Sequence, residues 1–115
     1  MTPTTANLLL ATAEGRECDP NEVIRQLNRW TVLGVSGGRA HPIIDTEGRT
    51  VGVRLPINAS RCVDIVLDWC DLYTVSRRRV VLRGADRGAV ITEQTESMVD
   101  CEMLDHVVYR LSCWK

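Results

Sequence analysis

Phenylalanine is absent from this chain, lysine occurs once, at Lys115, and histidine only twice, at His41 and His106. Each shortage excludes something. Three tryptophans and two tyrosines are few flat rings on which nucleic-acid bases could stack. Two histidines, with no Cys-x-x-Cys or His-x-x-x-His spacing, leave metal binding and general-base chemistry short of ligands, so no cofactor or metal is expected. No apolar run approaches the roughly 18 residues that a spanning helix needs, so no membrane partner is expected. The apolar segment 6–13, ANLLLATA, has no positive region before it and does not read as a signal peptide. The five cysteines are odd in number and lack framework spacing, as fits reduced thiols in a cytoplasm. The formal net charge of -1 exerts no global pull on nucleic acid or anionic membrane.

What is present is an ordinary globular composition, 44% hydrophobic and 25% charged over 115 residues, enough for one modest core. A flexible N-terminal arm over residues 1–18 and a single domain over 19–115 are expected. The centre of that domain is the stretch 61–84, RCVDIVLDWCDLYTVSRRRVVLRG. Val63, Ile65, Leu67 and Trp69 alternate with Cys62, Asp64, Val66 and Asp68. Successive side chains of a strand point to opposite faces, which predicts an apolar row inward and the two carboxylates outward. A turn near Cys70 and Asp71 returns the chain through Leu72–Val75. The parity then breaks at Arg77, Arg78 and Arg79, as a bulge or a twisted edge would allow.

Before this pair, Asp19-Pro20-Asn21-Glu22 opens a helix to about Arg29, with Asp19 as cap and Pro20 in the first turn. Thr31–Val35 reads as a strand stopped by Ser36-Gly37-Gly38, and residues 39–49 read as a loop. Residues 50–55 alternate again, and Arg54 beside the central strand would pair with Asp64 or Asp68 on the wet face. After a turn at 84–88, residues 89–92 form a short strand. Ser97 opens a closing helix with Cys101, Leu104, Val108 and Leu111 on its inner stripe. The expected fold class is therefore α+β: a single antiparallel sheet of four or five strands with an N-terminal and a C-terminal helix on one face.

The segments IRQLNRWTVLGVSGG (24–38), VRLP (53–56), VDIVLDWCDLYTV (63–75), Arg83-Gly84 and VDCEMLDHVVYRL (99–111) resemble a family of small uncharacterised phage and mobile-element α+β proteins. The resemblance brings no catalytic residues. It implies a phage accessory protein, acting in the cytoplasm of the host cell without enzymatic activity, that binds a host protein and inhibits a defence system such as CRISPR.

Several groups carry the functional expectations. Asp64, Asp68, Arg77, Arg78, Arg79 and Arg83 offer complementary charge on the sheet for a protein partner. Trp114 is a candidate exposed anchor, whereas Trp30 and Trp69 are expected in the core. The arginines 77–87 offer a second reading, a groove for nucleic-acid phosphates. Ser36, Gly37, Gly38 and Arg39 could form an anion nest. Gly34-x-Ser36-x-Gly38 formally matches a nucleophile elbow, but a chain of this size cannot build a hydrolase sheet around it. An uncapped edge strand or Trp114 would support a homodimer.

Overall fold

A computed structural model describes residues 15–45 and 47–113. Three helices, α1 (Pro20–Arg25), α2 (Arg29–Ser36) and α3 (Leu104–Ser112), accompany five strands. The strands are β1 (His41–Ile44), β2 (Thr50–Pro56), β3 (Arg61–Leu67), β4 (Tyr73–Val80) and β5 (Val90–Val99). They form one open antiparallel sheet in sequence order, each strand bonded to the next. The α+β class and the helices on one face are as expected.

The core lies between that face and the helices. Val53, Leu55, Val63, Ile65, Tyr73 and Val75 project from the sheet. Val23 of α1, Val32 and Val35 of α2, and Leu104, Val107, Val108 and Leu111 of α3 meet them. At Gly52 the backbones of β2 and β3 come so close that a Cβ would stand 2.0 Å from the Ile65 carbonyl oxygen. Only glycine fits that position.

Four features differ from the sequence expectation. The first is α2. Thr31–Val35, rich in β-branched residues, was expected as a strand, but local capping outweighs that weak preference. The Asn28 side chain accepts from the Trp30 amide at 2.9 Å, and Gly37 and Gly38 adopt left-handed φ of 65° and 85°. Their amides return to the carbonyls of Leu33 and Val32, closing the last turn. The single expected helix thus becomes two. Asp19 caps the first as expected, its carboxylate accepting from the Asn21 amide at 3.0 Å.

The second difference is β1, in a segment expected as a loop. Pro42 is tolerated there because β1 is an edge strand. Third, β5 extends to Val99 instead of ending at Thr92. The closing helix starts at Leu104, after a turn in which Asp100 accepts from the Met103 amide. Fourth, residues 15–18, expected within the flexible arm, are fastened to the sheet: the Arg16 amide donates to Leu67 and the Cys18 amide to Thr50. The remainder of that arm, 1–14, lies outside the described residues, as does Trp114.

Among the described residues no helix is long and apolar enough to cross a membrane.

Candidate functional site

The alternation in β2 and β3 sends Arg54 and Asp64 to the sheet face turned away from the helices, and the register sets them directly opposite each other. The guanidinium grips the carboxylate with two bonds, Nε to Oδ1 at 2.6 Å and Nη2 to Oδ2 at 2.7 Å. This pairing was expected; its burial was not. Arg54 is 1% exposed and Asp64 2%, so neither lies on a wet face and Asp64 is not available as a partner contact. Period-two alternation assigns a face but does not say whether that face is open. Arg78 adds a bond from Nη1 to Asp64 Oδ2 at 3.3 Å, and the Cys62 thiol lies 3.4 Å from Oδ1. Burial, reinforced by the Asp64 charge, pushes the Cys62 thiol far above its usual range, which keeps it protonated and unreactive.

The other arginines of the run are also engaged. On the helix-covered face, Glu93 sits in a bulge where Thr92, Glu93 and Gln94 oppose Arg77 and Arg78. Arg61 reaches Glu93 at 3.0 Å, Arg77 at 3.1 Å and Arg79 at 3.3 Å. These hydrogen bonds and charges, Arg61 foremost, hold the Glu93 carboxyl below its ordinary range against the opposing effect of burial. Arg77 also donates to the Leu111 carbonyl at 3.2 Å, where a cation favours the C-terminal end of α3. Arg77 and Arg78 therefore face opposite sides of the sheet, and 77–79 make no single basic groove. Asp68 lies beyond the end of β3 and accepts from the Thr74 hydroxyl at 2.5 Å. Arg83 is exposed on the β4–β5 connection, with no ion pair among the described residues.

The anion nest is not formed. The amides of Gly37, Gly38 and Arg39 already donate to the carbonyls of Leu33, Val32 and Ser36, so none is left to face an anion. Ser36 is buried on α2, donating its hydroxyl to the carbonyls of Val32 and Arg39 at 3.1 and 2.6 Å. Those two bonds make it a brace at the end of α2. Among the described residues no three His, Cys, Asp or Glu side chains gather as a metal would require.

Both tryptophans expected in the core are outside it: Trp30 is 69% exposed on α2, and Trp69 is 71% exposed in the β3–β4 turn. Trp30 belongs to a larger feature that the strand reading concealed. Because Thr31, Val32, Val35 and Ser36 face inward, the outward stripe of α2 is Trp30, Leu33, Gly34 and Gly37, apolar or small throughout. Solvent-facing helix stripes are ordinarily polar. Leu33 is 46% exposed and also lines a hollow of about 330 Å³ with Ile24, Leu27, Arg29, Val32 and Gly38. The Arg29 guanidinium lies 5.2 Å from the Trp30 ring centroid, within cation–π range. Spacing by three, four and seven from Trp30, bounded by Asn28 and Gly37-Gly38, is the signal that would have found this stripe.

Comparison with family models, with curated proteins and with solved structures finds no match to this chain.

Proposed function

We propose that this chain is a non-enzymatic protein-binding module whose contact surface is centred on α2. The finer form of the proposal is the phage-accessory role implied by the sequence resemblance, with a host protein as partner and a host defence system, CRISPR among them, as the process inhibited. One observation carries the reading. The charged candidates central to the sheet are engaged within the fold, while Trp30 and Leu33 stand exposed beside an apolar hollow. Exposed tryptophan with adjacent arginine and aliphatic surface is the composition of an interface hot spot. Large solvent-facing apolar patches are uncommon without such a role.

The test is an affinity pull-down from host lysate, with and without nuclease, comparing wild type with Trp30→Ala and with Arg83→Ala/Arg87→Ala. A stoichiometric protein that survives nuclease and is lost with Trp30 is expected. Recovery of nucleic acid alone, lost with the two arginines, would replace this reading with the phosphate-binding one.

A further inference from the structure

We propose that the outward stripe of α2 and the hollow beside it receive an amphipathic helix of the partner protein, its apolar face flanked by carboxylates. This rests on the protein-binding reading and adds where the partner docks and what it must carry.

A glycine inside a helix costs about 1 kcal/mol relative to alanine. Such a cost is usually explained by crowding, as at Gly52. At Gly34 a Cβ would meet nothing within 4 Å, and no positive φ demands glycine. Nothing in the monomer uses the missing side chain. A second helix crossing here would use it, since small residues let helix backbones approach closely. Gly37 continues the same stripe one turn later, although its own φ of 65° already calls for glycine.

The hollow supplies the complementary half. Its Ile24, Leu27, Val32 and Leu33 walls would surround one large apolar side chain projecting from the incoming helix, the helix-in-groove mode of recognition. Trp30 would lie along the opposite flank of that helix.

Charge selects the occupant. Arg29 lines the hollow, and Arg39 follows Gly38 in the chain with its Nε donating to the Ser36 carbonyl at 3.4 Å; neither has an ion-pair partner among the described residues. The carboxylate beside this helix, Asp105, accepts the Asn28 amide at 2.6 Å and so is committed to the start of α2. An apolar site with the Arg29 guanidinium on its wall and Arg39 just past the end of α2 favours carboxylates flanking the apolar anchor, and disfavours lysines there.

The probe is a synthetic amphipathic helix of about four turns with leucine on one face and glutamate on both flanks. Its counterparts have lysine for glutamate, or serine for leucine. Binding is followed by titration into the full chain with amide-resonance mapping. The glutamate–leucine peptide should shift Ile24, Leu27, Val32, Leu33 and Gly34, and bind at least about tenfold more tightly than either counterpart, a difference of 1.4 kcal/mol. Gly34→Leu should remain folded, with an unchanged or higher thermal midpoint, and lose that binding. Arg29→Glu/Arg39→Glu should reverse the preference toward the lysine peptide.

Equal binding of the acidic and basic peptides, shifts mapping elsewhere, or unimpaired binding by Gly34→Leu would overturn the proposal. A dimer seen by sedimentation and abolished by Gly34→Leu would overturn it in favour of a second copy. A cellular protein captured equally by wild type and Gly34→Leu would reject this docking site while leaving the protein-binding reading in place.

Discussion

At its centre, around Arg54 and Asp64, the sheet face turned away from the helices is charged and closed, whereas the outward side of α2 is apolar and open. Arg54 and Asp64, the residues one would expect to meet water, are 1% and 2% exposed, while Trp30 is 69% exposed. The difference teaches that residue polarity alone does not locate a binding surface. A charge whose bonds are satisfied inside the fold offers little to a partner. An apolar side chain left in water still has favourable contact to gain, roughly 25 cal/mol per Å² of apolar area removed from solvent. The two regions therefore answer differently to mutation: the first through stability, the second through binding.

The largest effect is expected at the buried ion pair. Asp64→Ala leaves the Arg54 guanidinium without its bidentate partner, and should cost roughly 3–5 kcal/mol in chemical denaturation. Replacing both residues by leucine should restore most of the loss, because a buried pair repays little beyond its own desolvation. If the double variant is as unstable as the single one, the pair contributes much more than mutual neutralisation. Next comes Gly52→Ala, which would drive a Cβ into the Ile65 carbonyl across a strand pair. Overpacking of this kind costs roughly 1–3 kcal/mol. Gly52→Ala and Gly34→Ala thus form an internal contrast between a crowded and an uncrowded glycine.

How much of this contrast was legible in the sequence follows the same division. The central strands could be read because Val63, Ile65 and Leu67 alternate with Cys62, Asp64 and Val66, and the Arg54–Asp64 pairing follows from register. Their burial could not be read, because it depends on how the sheet is covered. The length of β5 was hidden for another reason. Glu93, Gln94, Thr95 and Glu96 look like a connection, yet an edge strand carries polar residues and bulges without penalty, and they discourage pairing with other chains. For α2, intrinsic preference and capping gave opposite answers. Asn28 and Gly37-Gly38 prevail because they satisfy backbone groups that a helix end otherwise leaves without partners. Strand alternation puts Trp30 and Gly34 on one face and Leu33 on the other, whereas helical spacing gathers all three on one stripe.

A smaller effect is expected at Glu93. Its carboxyl titrates below the ordinary range in the folded protein because Arg61 and Arg77 hold the charged form. A depressed folded-state value contributes stability that is present above the unfolded value of about 4.3 and lost as pH falls through the folded one. Thermal stability should therefore drop on acidification below about pH 4.3 more steeply in wild type than in Glu93→Gln. At neutral pH, Glu93→Gln should be less stable by roughly 1.5–3 kcal/mol, the range for hydrogen bonds to a charged group. Parallel pH profiles for the two proteins would remove the arginine cluster from the acid response.

The smallest stability effects belong to α2, and they sharpen the contrast most. Trp30→Ala removes an exposed ring whose contact with Arg29 is worth about 0.5–1 kcal/mol at an exposed site. Its stability should stay within about 1 kcal/mol of wild type. Gly34→Ala should move in the other direction, gaining up to about 1 kcal/mol, since alanine restricts the unfolded chain and a Cβ there has open space. A stabilising change at a position still occupied by glycine means that something other than the monomer's stability favours it, and the approach of a second backbone is a specific reason. The measurement is denaturant unfolding of Gly34→Ala beside wild type. A loss of stability would mean that the glycine serves the fold itself, and the outward stripe of α2 would lose its principal sign of an absent partner.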